Sequence, residues 1–488
     1  MKSIFSFNDN VDSYIRSFYW KVTYRSFFRA RQEGLRSYSS NIPRVLVKLL
    51  IFPFYSLAKG CSPPRKLSVV KTSILFCSTD HRFQESPEGQ MVEFMLQPFI
   101  KIAKSCGYQA LGTTEFCKSE LKKVHSQIYD QFIYPKKWWS LSVCIKYYFI
   151  IGKYARKIIS ILKNNNTCLV GGLADTIAYI YYTLLMLRIL AKVAPCAVIL
   201  IAEYGIYQSA LWSAAQILGI PSIALQHGSI RRYHSGYRCY KFIKKIGAPL
   251  KFPDRFICWG SYFKELLTSF GLEEQKLLIG GNPNFDNQKC MPVKRSWREA
   301  HKNTRFVWFT QFHGVSQEVS TQYVKSVFNF FSLHPENELF LKPHPNEIGS
   351  IGYYENFLND FPSLTIHILD AQSRSFEVLN LADVILVINS TVVYEAVLLG
   401  VPAIILNFGR IFPKDLGHPI FYSMDLYVEK EEEMEIAVRA ALKQRMRWIA
   451  LRDDFVKHFF DGNPGRCVQK IWGIIDNTID GYKPAKVP

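Results

Sequence analysis

Short, unbroken apolar runs, each followed by a helix-length stretch, constrain this chain more than any other feature. KTSILFCSTD (71–80), PCAVILIAEYG (195–205), PSIALQHGS (221–229), DRFICWG (254–260) and KLLIGGNPNFD (276–286) carry apolar residues at consecutive positions. Such runs lack the alternation of a strand with one wet face. A strand buried on both faces belongs to a parallel sheet covered by helices, and the intervening stretches QMVEFMLQPFIKIAKSCGYQAL (90–111), QSALWSAAQILGI (208–220) and SYFKELLTSFG (261–271) supply them. PNFDNQKCMPVKRSWREAHKN (283–303) then loses the periodicity, and the rhythm restarts. RFVWFTQFHG (305–314), NELFLKPHPNE (337–347), LTIHILD (364–370), DVILVINS (383–390) and PAIILNF (402–408) read as strands, with helices over 317–333, 375–381 and 390–400.

The expected fold class is therefore α/β, with two Rossmann-like domains facing a cleft. The expected domains are a basic aromatic helical extension (1–66), an N-terminal Rossmann-like domain with a basic helical insert (67–285), a linker (286–303), a C-terminal Rossmann-like domain (304–465) and a tail or helix (466–488). A chain of 488 residues is long enough for such a division, since single cores stop growing near about 250 to 300 residues.

The net charge of +20 is uneven. Residues 1–66 hold twelve Lys and Arg against Asp9, Asp12 and Glu33, interleaved with aromatics in SYIRSFYWKVTYRSFFRARQ, and 136–163 repeats the mixture in KKWWSLSVCIKYYFIIGKYARKIISILK. Basic aromatic helices suit an anionic membrane surface, and they equally suit packing helices with solvated basic faces. No nucleic-acid module accompanies the charge. The longest apolar runs are interrupted by Arg188, Lys192 and Glu203, so no bilayer-spanning segment is expected. The 11 cysteines form no CxxC pair or zinc-spaced cluster, which fits reduced thiols in a cytosolic setting.

Candidate chemistry gathers at strand ends. His344 stands between Pro343 and Pro345, which restrict the backbone around it. Asn389, Ser390 and Thr391 end a strand where they can cap the next helix and offer N–H groups and hydroxyls to an anion, with Glu395 one turn on. Thr310 and Gln311 follow another strand, and Lys342 precedes the His344 turn. In the first half, Glu203 ends ILIAE and His227 ends LQH, with Arg231, Arg232 and His234 just beyond; Asp80 follows the first strand.

The order KPHP, NST, EAVLLGVPAIIL resembles the C-terminal half of GT-B glycosyltransferases, above all bacterial capsule and surface-polysaccharide enzymes such as polysialyltransferases and Kdo transferases. CDP-glycerol glycerophosphotransferases are more distantly similar, and UDP-N-acetylglucosamine 2-epimerase has a comparable layout. The resemblance covers about residues 195–410 and includes the GNP turn at 281–283. It implies that His344-Pro345 and Ser390-Thr391 hold the nucleotide of the donor, with Thr391 replacing the family's second serine. It implies an acceptor-side histidine at His227 and, in part, an acidic motif at Glu203, where Tyr204 takes the second acidic place.

The function so expected is metal-independent transfer of a sugar from a CMP-linked, Kdo- or sialic-acid-like donor to a bacterial surface glycan, with no cofactor beyond the donor. Glu203 or His227 would act as base, and His344, Asn389, Ser390, Thr391, Glu395, Thr310, Gln311 and Lys342 would bind the nucleotide. Arg231, Arg232, His234 and Asp80 are candidates for acceptor or phosphate binding. Expected partners are a nucleotide-sugar, a glycan or lipid-linked glycan acceptor and an anionic membrane surface, with no nucleic acid and a cytoplasmic site at the inner-membrane face. Rival readings are a CDP-glycerol-type glycerophosphotransferase, a UDP-sugar 2-epimerase-like enzyme and a non-catalytic polysaccharide assembly factor.

Overall fold

The computed structural model describes residues 8–33, 72–79, 83–85, 91–115, 121–138, 140–154, 156, 158, 167–232, 234–288, 304–312, 316–344, 347, 351–371, 373–388, 390–410, 425–461 and 465–482. The chain divides into two compact units, one formed by 1–230, 234–286 and 464–488, the other by 231–233 and 287–463. Each is built on a parallel sheet covered by helices.

The strands of the first unit are β1 (Ser73–Cys77), β2 (Phe83–Glu85), β3 (Met91–Glu93), β4 (Gln109–Thr113), β5 (Gln131–Ile133), β6 (Ala197–Ile201), β7 (Ser222–Leu225), β8 (Arg255–Cys258) and β9 (Leu277–Ile279). Seven form one sheet in the order β5-β4-β1-β6-β7-β8-β9, while β2 and β3 pair antiparallel beside it. The chain builds outward from β1 through β4 to β5, then returns to β6 on the other side of β1. That reversal leaves a crevice outside the carboxyl ends of β1 and β6, the usual ligand position in open α/β sheets. Ile74, Leu75, Phe76, Val198, Ile199 and Leu200 are wholly buried, and full burial of a side chain of this size stabilises by about 1.5–3 kcal/mol.

Two segments join this unit from far away in the chain. The helix Cys467–Gly481 places Cys467, Ile471, Trp472 and Ile475 in the same core as Ile74, Phe99 and Ile257. Its first turn is held by Asp286, whose carboxylate accepts the N–H groups of Gly465 at 3.0 Å, Cys467 at 2.8 Å and Val468 at 2.7 Å. The GNP turn runs beneath this helix: Gly281 has φ +86°, and a Cβ there would collide with the Cys467 thiol. Glycine is required at Gly281 both for the backbone angle and for the close approach.

The basic aromatic helix Asn8–Glu33 also belongs to the first unit. Val11, Tyr14, Ile15, Phe18, Tyr19 and Val22 are buried, and Phe18 stacks on Tyr179 with centroids 4.0 Å apart. The Tyr14 hydroxyl donates to the Gln216 side-chain oxygen at 2.9 Å, and buried Lys21 donates to the Tyr240 hydroxyl at 3.0 Å. Of the 1–66 segment expected to face a membrane, the described part thus packs Tyr14, Phe18 and Tyr19 into the core, while 34–66 lies outside the described residues. Thr167–Val193 contains a stretch, 172–193, long and apolar enough to cross a bilayer, but 78% of an apolar 18-residue window within it is buried inside the protein.

The second unit holds β10 (Thr304–Phe309), β11 (Asn337–Lys342), β12 (Ile366–Ile368), β13 (Val384–Val387), β14 (Ala403–Leu406) and β15 (Tyr427–Val428) in the order β12-β11-β10-β13-β14-β15. All pairings are parallel. Counted from β10 this is the doubly wound order 3-2-1-4-5-6, whose switch point lies between β10 and β13.

Candidate functional site

At the carboxyl end of the second sheet, β10 leads into Thr310 and Gln311, β11 into Pro343 and His344, and β13 through Ile388 to Ser390. Four of the predicted binding residues, Thr310, Gln311, His344 and Ser390, thus stand at strand ends around the switch point. Ser390 precedes the helix Val392–Leu399 and its hydroxyl accepts the Val392 N–H at 3.3 Å. Thr391 makes no capping bond and is exposed, so its hydroxyl stands at the helix start, where the peptide dipoles favour an anion.

Glu395 lies in the first turn of that helix, four residues after Thr391. It is half-buried, and burial pushes its carboxyl up from 4.5 to about 7. A carboxyl held near neutrality can donate as well as accept, which suits a ribose diol better than a phosphate. Asn389 and Pro345 lie outside the described residues. His344 is half-buried and its carbonyl accepts the Glu347 N–H at 2.8 Å, closing the turn that follows the strand.

Two of the predicted nucleotide ligands are engaged by the protein itself. The Thr310 hydroxyl donates to Glu347 at 2.7 Å and takes a bond from the Tyr354 hydroxyl at 3.0 Å. Lys342 is 3% exposed, and its amine donates to the carbonyls of Pro343 at 2.9 Å and Ala371 at 2.7 Å. Burial lowers its pKa to about 8, against the opposing pull of Asp370 and Glu347. These two side chains shape the loops that carry His344. Gln311 keeps a buried amide oxygen with no hydrogen-bond partner among the described residues.

Glu347, Tyr354 and Ala202 escaped the sequence reading. Glu347 accepts from Thr310, from Tyr354 at 2.9 Å and from the Phe312 N–H, which ties the loop after β10 to the turn after β11. Nothing local marks it, because an acidic residue after an HP pair is indistinguishable from a solvated one until its distant donors are in place.

In the first unit, Glu203 and Tyr204 follow β6 and His227 follows β7. Glu203 is 1% exposed. Its own carbonyl takes bonds from the Ser209 hydroxyl at 2.8 Å and the Trp212 indole at 3.0 Å, and these fix the turn. Burial, reinforced by the Glu203 carboxylate, holds the Tyr237 hydroxyl well above the ordinary phenol range. The Ala202 N–H donates to Nδ1 of His227 at 3.2 Å, and Nε2 lies 3.1 Å from the Tyr204 hydroxyl. A backbone N–H can only donate, so Nδ1 is the acceptor and neutral His227 carries its proton on Nε2. Ala202 itself sits at φ +57°, a left-handed conformation costly for a residue with a Cβ and common at functional turns.

The remaining predicted residues divide. His234 caps the helix Ser235–Lys245, its Nδ1 accepting the Gly236 N–H at 3.2 Å, and its ring packs on Tyr204 and Tyr237 at centroid distances of 5.2 and 4.8 Å. Arg231 is half-buried and Arg232 exposed, while Asp80 lies outside the described residues.

This architecture has solved counterparts. The chain is similar to the UDP-GlcNAc 2-epimerase of Methanocaldococcus jannaschii, solved with UDP-GlcNAc and UDP, at 15% identity and a TM-score of 0.51, over 83% of this chain and 99% of that one. The UDP-N-acetylglucosamine 2-epimerase of Rickettsia bellii is similar at 13% identity and a TM-score of 0.51, over 84% and 98% of the two chains. MnaA of S. aureus, solved with UDP, is similar at 11% identity and a TM-score of 0.50, over 84% and 97%. No protein-family model matches the chain, and no curated protein matches it. The fold is thus of the GT-B-like kind, two Rossmann-like α/β units in one chain, and at these identities the likeness is one of fold.

Proposed function

We propose that the protein is an enzyme acting on a nucleotide-sugar, with the nucleotide held at the carboxyl end of the second sheet between β10 and β13. One observation carries the reading: a helix start bearing Ser390 and Thr391, with the near-neutral carboxyl of Glu395 one turn on, at the sheet's switch point. In this reading the helix start takes phosphate, Glu395 takes ribose hydroxyls, and His344 donates to the phosphate rim. Glu203 is the acid–base group, and His227 orients Tyr204 by donating through Nε2. No bound metal is invoked.

Fold neighbours that bind UDP and UDP-GlcNAc support a uridine nucleotide and inversion at C2 of the sugar over transfer of a CMP-linked sugar. Glycosyl transfer to a glycan or lipid-linked acceptor is retained as a second reading because the first unit exposes a basic, apolar helix face that an epimerase of soluble sugars does not need. Melting curves with UDP, UDP-GlcNAc, CMP and CDP test the shared part. A ligand at about 100 times its Kd stabilises by about 2.7 kcal/mol, so a true ligand shifts the transition visibly. Absence of a shift with all four overturns the nucleotide reading. With UDP-GlcNAc alone, formation of the C2 epimer supports epimerisation, and a requirement for added glycan supports transfer.

A further inference from the structure

The helix Leu141–Lys153 of the first unit buries Val143, Cys144 and Tyr147 and turns a different face outward. On that outer face Ile145 is 62% and Phe149 59% exposed, one turn apart. Exposed Lys146 and Lys153 lie on the same stripe, which continues past the helix end to exposed Arg156. Exposed large apolar side chains set among like charges mark an interaction surface.

We infer that this face is a docking surface for an anionic phospholipid bilayer. Charge complementarity selects the occupant: the exposed residues of the stripe include three cations and no carboxylate. Lys153 does lie 3.4 Å from Asp12, but that carboxylate also serves Arg16 at 3.0 Å, so one negative charge is shared by two positive ones. Lys and Arg attract acidic headgroups, while Ile145 and Phe149 are long enough to enter the acyl boundary. A second apolar pair, Ile436 and Met446 in the second unit, lacks this character, because exposed Glu432 and Glu435 stand among its cations. The buried aromatics of Asn8–Glu33 are likewise unavailable to lipid. This surface is independent of the nucleotide reading, since binding is measured without nucleotide.

Co-sedimentation of the full chain with vesicles tests it, comparing phosphatidylcholine alone with phosphatidylcholine containing phosphatidylglycerol. The protein should bind the anionic vesicles at low salt, release as salt rises and leave neutral vesicles unbound. Ile145→Ser with Phe149→Ser should weaken binding about tenfold or more, and Lys146→Glu with Arg156→Glu should do the same. Ile436→Ser with Met446→Ser should bind as wild type. All six positions are exposed, and an unchanged melting temperature confirms that each variant is folded. Equal binding by the Ile145/Phe149 variant and wild type overturns the inference. So does wild-type protein that ignores anionic vesicles, or a dimer in sedimentation equilibrium that Phe149→Ser dissociates, which would assign the face to a second copy of the chain.

Discussion

The hydroxyl of Thr310 donates to the carboxylate of Glu347 at 2.7 Å, which links two strand-end loops 37 positions apart in sequence. The Tyr354 hydroxyl reaches both groups, at 3.0 and 2.9 Å. Burial and the Glu347 carboxylate together raise the Tyr354 pKa far above the ordinary phenol range, as expected for a hydroxyl kept protonated to donate. Glu347→Ala would leave the buried Thr310 O–H without its acceptor and the buried Tyr354 hydroxyl with Thr310 alone. Bonds to a charged acceptor contribute about 1.5–3 kcal/mol each, so the variant should lose about 3 kcal/mol in denaturant unfolding. Glu347→Gln, which keeps an acceptor oxygen, should lose less. Equal stability of the Ala variant and wild type would remove Glu347 from the site's support.

Glu395 sets a pH dependence. Its folded pKa of about 7 lies above the unfolded value of 4.5, so the folded state holds the proton more tightly across that interval. Stability from this group is present below pH 4.5 and is lost as pH rises through 7. Glu395→Gln should therefore melt close to wild type at pH 4 and higher than wild type at pH 8. A stability difference that does not change with pH would show that the carboxyl titrates normally.

Lys342 works in the opposite sense on the other side of neutrality. Its folded pKa of about 8 lies below the unfolded value of 10.5, so the folded state binds fewer protons between them and gains stability as pH rises through that window. Lys342→Met should abolish this gain. The melting temperature of wild type relative to the variant should increase from pH 8 to pH 10. The variant should also bind nucleotide more weakly, because the carbonyls of Pro343 and Ala371 lose the donor that positions the His344 turn.

Ala202 carries backbone strain at the crevice of the first sheet. At φ +57° a Cβ is unfavourable, so Ala202→Gly relieves strain at some entropic cost and should change stability by about 0–1 kcal/mol in the favourable direction. His227→Asn tests the ring that accepts the Ala202 N–H: its side-chain oxygen can replace Nδ1 as acceptor but cannot reach Tyr204 as Nε2 does. The variant should fold normally and lose turnover. Full turnover would show that the Nε2–Tyr204 contact has no part in the reaction.

Much of the architecture was legible in the order of residues. Strands buried on both faces announce themselves as unbroken apolar runs such as SILFC, AVILI and VILV, and the parallel sheets follow. The strand ends at Glu203, His227, His344 and Ser390 were legible for the same reason, because a strand's end is a local change of composition. The engagement of Thr310 and Lys342 by their own loops was not, since Glu347, Tyr354 and Ala371 become their neighbours only when β10, β11 and β12 align.

The two basic aromatic segments make the same point from opposite outcomes. Both combine Lys, Arg and aromatics at helical spacing, and nothing in that composition separates a core face from a wet one. Packing against Tyr179, Gln216 and Tyr240 put Tyr14, Phe18 and Lys21 of Asn8–Glu33 inside, whereas Leu141–Lys153 kept Ile145 and Phe149 outside. Apolar periodicity is a property of neighbours along the chain, and it specified sheets and strand ends. Which polar atoms pair, which helix face is covered and which distant segment completes a core depend on contacts such as Asp286 with Val468, 182 positions apart, for which local sequence holds no signal.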